Sequence, residues 1–483
     1  MISIFEETDI KVNGCSSFWH SIDERWLEDI KENKIYEGSL RLPASNSIGK
    51  ERHFVLTKTS IYSMNKKNSR SPQLMSKINW KLVEPFIEHN TGDERYGFKI
   101  FQNKIFQDFY AKNSDDLDSW LHHLSYVSIM TDLEDDYSII REVGKGSFAN
   151  VFLSQDLDND EKYAIKAISK SKSFKDAYNS IGMINEIEVM RKVKHPYILT
   201  LHKIYESENH VYLVLDYVEG GELLQRLMTH GKIPESSAVK FCANLLDALD
   251  YLHSMNIMHR DIKPENILMV ERGNDFEFKI SDFGLALQTE EKQDLRCGSP
   301  GYVAPEILRK EPYDKRIDAF SAGILMFVIL SGRTPFPGKD TKEILSRNKE
   351  CMIHYQSKYW SDVSMKAIDL IQRLTDPNPN FRISISDAKQ HPWVSFLFRN
   401  KKNQQFPKQQ EGQLRERYAA PNSENSSMIK VSHRVHNDKR REQGTATERS
   451  GRTAQSLFEV AINKHKKIVS PSIRAKMAIS VGQ

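Results

Sequence analysis

The 483-residue chain has little cysteine: four residues (Cys15, Cys242, Cys297 and Cys351), none in a CxxC pair. That excludes a disulfide-stapled scaffold and a cysteine-rich zinc module, and it fits a reducing compartment. Long hydrophobic runs are missing too. The longest, Ala319 to Leu330, spans twelve residues and directly follows Asp318. A bilayer span needs about 20, so this run reads as a buried core helix. The N-terminus, MISIFEETDIKVNGC, lacks the basic-then-apolar layout of a signal peptide, and Met1 is followed by isoleucine rather than the glycine that myristoylation requires. A soluble, cytoplasmic protein is expected. There is no internal repeat.

What is present is material for a core: 39% hydrophobic and 28% charged residues, against which wholesale disorder is not expected. At roughly 100–200 residues per domain, the length predicts two to four domains. The net charge of +4 is unevenly spread. Residues 401–483 carry 17 Lys/Arg against 7 Asp/Glu, a net +10, which leaves −6 for the rest. A basic tail follows a slightly acidic body.

Three regions separate by pattern. In residues 18–130, β-like stretches at Tyr36–Leu42, His53–Thr57, Ser60–Met64, Ile78–Leu82, Tyr96–Phe101 and Phe106–Ala111 are divided by polar turns, including 43–51 and 65–73. A helix follows, with Ser114 placed to cap it, Asp115 and Asp116 in its first turn, and Leu117, Trp120, Leu121 and Leu124 on one face. Strands closed by one amphipathic helix predict a small plugged β-barrel. Residues 137–394 open with strands and become helical. Residues 395–483, rich in Asn, Gln, Ser and Lys/Arg, are expected to be largely disordered.

The middle region carries the chemistry. At Gly144-Lys145-Gly146-Ser147-Phe148-Ala149-Asn150-Val151, glycines allow a β-turn to lie over phosphate oxygens. Alone, such a run is as readily an ordinary hairpin turn. Fifteen residues on, Tyr163-Ala164-Ile165-Lys166 is a strand ending in a lysine that can hold α/β-phosphates if a carboxylate steadies it. Glu186 is the candidate and Glu188 the fallback, although two residues along a helix point it about 200° away. Then come His259-Arg260-Asp261-Ile262-Lys263-Pro264-Glu265-Asn266 and, sixteen residues after Asn266, Asp282-Phe283-Gly284. Phosphoryl transfer needs charge neutralisation, an in-line nucleophile and a divalent metal. Asp282 suits a metal bridging the β- and γ-phosphates, and Asn266 a second metal site. Asp261 suits acceptance of the incoming hydroxyl's proton, and Lys263 neutralisation of the γ-phosphate.

With those motifs in place, residues 137–394 resemble a eukaryotic protein kinase catalytic domain, which implies a bilobal α+β fold using ATP and Mg²⁺ on protein substrates. Ala304-Pro305-Glu306 matches the close of the activation segment, Asp318 the buried anchor under the catalytic loop, and Arg382 the partner of Glu306. HRDIKPEN and GSPGY (298–302) resemble serine/threonine kinases. GGEL (220–223), TPFPGKD (334–340), DLIQRLTDPNPNFRIS (369–384) and HPW (391–393) resemble the calcium/calmodulin-dependent group. The resemblance places Val143, Val151 and Ala164 at the nucleotide, Leu215 as gatekeeper, Asp216–Val218 as the adenine hinge, and Glu222 near the ribose and near a substrate arginine upstream of the acceptor. Two residues depart from the pattern: Ala149 replaces the last loop glycine, and Phe320 the tryptophan after the anchor aspartate.

In the activation segment Thr289 is the only hydroxyl between Gly284 and Cys297, and Leu295 stands where many relatives carry a phosphorylated threonine. Arg260 would pair with that phosphate; Asp294 or Glu291 is expected to supply the charge instead, so activity should not need loop phosphorylation. Ser299 reads as a structural hydroxyl in the substrate-facing loop.

The N-terminal region, through YEGSLRL, KERHFVLTKTSIYSM, YGFKIF and DFYAKNSDDLDSWLHHL, resembles a pleckstrin-homology domain. The resemblance implies a phosphoinositide or a protein partner, with docking on a protein favoured. Lys50 and Arg52 fit part of the cationic pattern for lipid phosphates, but Leu42 stands where a lysine would, with Arg41 on the opposite face. Lipid binding would recruit the protein to a membrane surface. In the tail, residues 456–469 (SLFEVAINKHKKIV) form a basic amphipathic pattern open to calmodulin, although a solvated tail is the simpler reading. Nothing there supports nucleic-acid binding. Asp156, Asp158 and Asp160 mimic the start of an EF-hand, but Glu161 and Ala167 stand where its glycine and glutamate belong.

Overall fold

A computed structural model describes residues 17–22, 26–44, 47–64, 72–90, 93–102, 105–146, 149–173 and 177–403. Ser147, Phe148 and the basic tail from residue 404, with its amphipathic stretch at 456–469, lie outside the described residues. Those described fall into two compact units: residues up to 170 with 203–214, and 171–202 with 215–403.

The first unit is built on one sheet. Its strands are β1 (Lys34–Ala44), β2 (Ser47–Thr57), β3 (Ser60–Met64), β4 (Pro72–Lys77), β5 (Leu82–Asn90), β6 (Asp93–Gln102), β7 (Ile105–Tyr110), β8 (Ile129–Met130), β9 (Tyr137–Lys145), β10 (Ala149–Asp156), β11 (Lys162–Ser169), β12 (Leu201–Glu206) and β13 (His210–Asp216). They pair in the order β4-β3-β2-β1-β7-β6-β5-β8-β12-β13-β11-β10-β9. The expected strand-rich N-terminal region is present, and no closed barrel is found among the described residues. The two-residue strand β8 runs parallel to β5 on one side and to β12 on the other. This carries the N-terminal strands into those of the phosphate-loop region.

Two further expectations change. Of the stretch Ile78–Leu82 only Leu82 is in a strand, opening β5; residues 78–81 form the turn between β4 and β5, with Trp80 at φ +71°. The expected polar turn 65–73 gives way to β4 from Pro72. Proline is tolerated within β5 for a local reason. Lys81 and Val83 turn their carbonyls toward β8, so Pro85 turns its donorless nitrogen to the same side, past the end of that strand. The helix α1 (Trp26–Asn33) has no counterpart in the sequence reading; Asp29 ties it down by accepting from the Thr57 and Tyr62 hydroxyls at 2.8 and 2.9 Å.

Helix α2 (Ser114–Ser125) forms as predicted, but its N-cap is Asn113, whose Oδ1 accepts the Asp116 N–H at 2.9 Å, and not Ser114. Leu117, Trp120, Leu121 and Leu124 are buried as the periodicity requires. Trp120 packs edge-on to Tyr36 at 4.9 Å. One core runs from Phe18, Phe54, Phe98 and Trp120 through Leu133 and Tyr137 to Phe152, Ile165, Tyr205 and Val214. The segment between the regions is pinned, since Tyr205 donates its hydroxyl to the Asp136 carboxylate.

The second unit is mainly helical: α3 (Ala177–Lys192), α4 (Leu223–His230), α5 (Glu235–Ser254), α6 (Arg316–Ser331), α7 (Thr341–Glu350) and α8 (Met365–Leu374). The apolar run forms α6, buried from Ile317 to Ser331. Among the described residues no helix is long and apolar enough to cross a membrane. Two small antiparallel two-stranded sheets, β14 (Ile257–Met258) with β17 (Leu287–Gln288) and β15 (Ile267–Met269) with β16 (Phe278–Ile280), frame the loops that carry the chemistry.

Candidate active site

The second unit gathers Arg260, Asp261, Lys263, Asn266 and Asp318 from separate stretches of chain. Asp318 lies at the start of α6, fully buried. Its Oδ2 accepts from His253 Nε2 and the His259 N–H, both at 2.9 Å, and its Oδ1 from the Arg260 N–H at 2.9 Å. Burial pushes its pKa up, but these donors outweigh burial and hold it below the usual carboxylate range. The anchoring has a purpose: Arg260 sits at φ +67°, a left-handed conformation that costs a non-glycine residue about 1–3 kcal/mol. Charge-assisted bonds from Asp318 to consecutive N–H groups offset that cost and fix the loop that presents Asp261.

Asp261 is buried, and each of its oxygens is engaged. Oδ1 accepts from Ser299 Oγ at 2.7 Å; Oδ2 accepts from Lys263 Nζ at 2.5 Å and Asn266 Nδ2 at 3.0 Å. Lys263 Nζ also reaches Ser299 Oγ at 2.7 Å. Asn266 ends a short 3-10 turn that Pro264 opens, and its Nδ2 also donates to the Asp261 carbonyl at 2.8 Å. The Asn266 amide nitrogen is thus occupied, leaving its oxygen to offer. Ser299, read from sequence as a structural hydroxyl in a loop, is here bonded directly to Asp261.

Asp282 is exposed at φ +63°, its Oδ1 accepting the Gly284 N–H at 3.3 Å, while Phe283 is fully buried against the His259 ring at 4.9 Å. Asp282 and Asn266 together provide two oxygen donors and no nitrogen or sulfur. This fits a hard divalent cation that completes its shell with phosphate oxygens and water. No group of three or more His, Cys, Asp or Glu that could hold a metal occurs among the described residues.

Glu306 and Arg382 meet as expected in a buried bidentate pair, Nη1–Oε1 2.6 Å and Nη2–Oε2 2.9 Å. The guanidinium lies 5.1 Å from the Phe320 ring, so the phenylalanine that departs from the family pattern still supplies an aromatic face.

Two expectations concern charge. Glu186 is buried while Glu188 is exposed, which favours the first choice of carboxylate. Arg260 pairs with neither Asp294 nor Glu291. Its Nε donates to the Leu285 carbonyl at 2.6 Å and its Nη1 to Tyr313 Oη at 3.1 Å, and Tyr313 in turn donates to the Leu295 carbonyl at 2.6 Å. A buried phenol, not a surface carboxylate, links the arginine to the activation segment. Burial, with Cys297 beside it, raises the Tyr313 hydroxyl to about 12, so it stays a neutral donor. The same segment binds α3, where Asn185 donates to the Ala286 carbonyl.

Leu215, expected as gatekeeper, is buried. The Asp216 carboxylate is consumed by His202 Nε2 at 2.8 Å, Lys279 Nζ at 3.1 Å and the Thr200 N–H at 3.1 Å. Although burial opposes ionisation, those partners hold it far below the usual range, so only its main chain is left for a base. Val218 is half-buried, and Glu222 is exposed at the N-cap of α4. Gly220 must lack a side chain, because a Cβ there would lie 2.5 Å from the Met269 carbonyl oxygen.

In the first unit the strands that flank the glycine turn pair in register. Gly146 N–H bonds the Ala149 carbonyl at 2.8 Å, Asn150 pairs with Lys145, and Val151 is opposite Gly144 on one side and Lys166 on the other. Directly opposed residues share a sheet face, and Ala164, two before Lys166, joins it. Val143 falls at a register shift and is exposed. Lys50 and Arg52 are exposed on one face of β2, and Arg41, opposite Glu51, is on the other. Asp156 caps its own turn, accepting the Asp158 and Asn159 N–H groups at 3.0 and 3.3 Å.

Comparison with known proteins agrees with this geometry. The family model described as the protein kinase domain matches residues 137–394. Myosin light chain kinase A of Dictyostelium discoideum is 36% identical over 268 residues, 55% of this chain and 90% of that one. Calcium/calmodulin-dependent protein kinase type 1B of Rattus norvegicus is 36% identical over 265 residues, 55% of this chain and 76% of that one. A probable serine/threonine-protein kinase 2 of Plasmodium falciparum is 35% identical over 312 residues, 64% of this chain and 58% of that one. With its family model covering more than half the chain, and relatives named as serine/threonine kinases, this chain belongs to the protein kinase family as a protein serine/threonine kinase.

Proposed function

We propose that the protein transfers the γ-phosphoryl group of ATP, with Mg²⁺ as the metal, to serine and threonine hydroxyls of protein substrates. Asp261 accepts the proton of the incoming hydroxyl and fixes its approach, and Lys263 neutralises charge on the phosphoryl group in flight. Asp282 and the Asn266 oxygen hold the metal, which when bound neutralises the phosphate oxygens. Lys166 and the main chain from Val143 to Val151 receive the phosphates. The observation that carries this reading is the Asp261 carboxylate bonded at once to Lys263, Asn266 and Ser299. Incorporation of labelled phosphate into serine-centred peptides by the full chain, lost in Asp261→Asn with the fold intact, tests it. Incorporation surviving that substitution overturns it.

Regulation follows from the same loop. The Arg260–Tyr313–Leu295 links occupy the arginine without a phosphate, which supports activity independent of loop phosphorylation, Thr289 included. Phosphatase treatment should leave the rate unchanged. Glu222, exposed at the start of α4, suits a basic residue upstream of the acceptor. The N-terminal region acts in recruitment or regulation as a pleckstrin-homology-like module. The core it shares with β9–β13 favours docking on a protein, its own kinase domain, over a lipid role for Lys50 and Arg52. A cytoplasmic location, with recruitment to a membrane surface if the N-terminal region binds lipid, belongs to the same proposal. Calmodulin acting through the tail is the second reading, suggested by relatives whose names carry that dependence, and an assay with and without calcium–calmodulin separates the two.

A further inference from the structure

We infer that Asn348 is a positioning residue for the protein substrate: its amide, projecting from α7, sets the shape of the loop 299–303 beside Asp261. The inference rests on the kinase reading and extends it to a residue that no motif contains.

Asn348 is fully buried. It lies three residues after Leu345 and four after Ile344, on the stripe where α7 turns inward. An apolar side chain would fill that place at no polar cost, whereas a buried amide must find partners for both of its ends. Asn348 finds both on one loop: Oδ1 accepts the Gly301 N–H at 3.0 Å and Nδ2 donates to the Val303 carbonyl at 2.9 Å. Gly301 is at φ +88°, open to glycine but rarely to L side chains, so the main chain turns here and the two amide bonds select this turn among those glycine allows. Between these two bonds the Tyr302 carbonyl accepts from Ser321 Oγ of α6 at 2.9 Å. The loop begins at Ser299, which is 2.7 Å from Asp261 Oδ1. A peptide whose hydroxyl reaches Asp261 therefore passes beside main chain whose course Asn348 dictates. Asn348 itself bonds no group that would touch the nucleotide.

Removing the amide should loosen the peptide surface and leave the phosphate chemistry alone. In full-length Asn348→Ala, assayed on a serine-centred degenerate peptide library, the peptide KM should rise about tenfold, with kcat and the ATP KM within about twofold of wild type. Preference for residues next to the acceptor should flatten. Asn348→Asp keeps the size and the acceptor but sets a carboxylate against the Val303 carbonyl. It should shift the same two readouts in the same direction, and it decides the matter if the alanine protein does not fold. An unchanged peptide KM and an unchanged preference profile overturn the inference, as does a joint rise of the ATP and peptide KM. A wild-type chain that labels no peptide sinks the kinase reading itself, and this inference with it.

Discussion

The catalytic loop and the N-terminal sheet are held together by opposite means. Around Asp261 the structure depends on named polar atoms: Asp318 on three donors, Glu306 on Arg382, Arg260 on Tyr313. Around Trp120 it depends on an apolar core whose members bear no chemistry, running from Phe18 to Val214. Polar networks with left-handed residues tolerate almost no substitution, because an orphaned buried charge has no substitute partner. Apolar cores accept any filling of similar volume. The first region is therefore recognisable residue by residue, and the second only as a pattern.

The sharpest test of that contrast is Asp261→Asn, expected to lower phosphorylation about 10²–10⁴-fold with thermal stability nearly unchanged. A fall in both would mean that the loop is scaffold as much as chemistry. Next is Glu306→Gln, which strands a buried guanidinium. A loss of about 3–5 kcal/mol is expected in denaturant unfolding, whereas a loss below 1 would put the polar region on the same footing as the apolar one.

Trp120→Ala should cost the first unit a similar amount, about 3–5 kcal/mol. Unlike a local cavity, it should also weaken β9–β13, since both belong to one core. Cutting the chain before Tyr137 removes β8, bares the edge of β12 and uncovers Tyr205. The isolated segment 137–394 is expected to melt lower and aggregate sooner than the whole chain, and equal melting would show the shared core to be dispensable.

Acid sharpens the contrast further. The depressed Asp318 carboxyl contributes stability that is complete above its unfolded pKa, about 3.9, and is lost as pH falls through its lower folded value. Asp318→Asn should therefore show a deficit at neutral pH that shrinks below about pH 4. The smallest effect is expected from Lys50→Glu with Arg52→Glu: stability within about 0.5 kcal/mol, and loss of any phosphoinositide-vesicle binding the wild type shows.

Much of the site was legible because its residues sit at fixed offsets along short stretches, as in HRDIKPEN and DFG. The rest was not. Tyr313 and Asn348 act through main-chain groups far away in sequence, and no local pattern marks them. The one available sign for Asn348 was an amide interrupting an apolar helical stripe. The cap at Asn113 was missed because Ser114 is an equally good capping residue by composition, and only backbone geometry separates them. The bounds of β4 and β5 were not legible either, since Pro72 opens one among turn residues and Pro85 lies within the other.

Sequence by itself was enough to place this chain in the protein kinase family, as the order of a lysine, two aspartates, an asparagine and a glycine turn suggests. It also determined the inward faces of α2 and α6, since helical periodicity is a local property. Tertiary structure alone decided which partner each polar group takes. It placed Tyr313, rather than an acidic residue, against Arg260, and it joined the N-terminal strands to the kinase strands through two residues of β8. Hydrogen bonds between distant segments depend on how the chain closes on itself, and no window of sequence contains that closure.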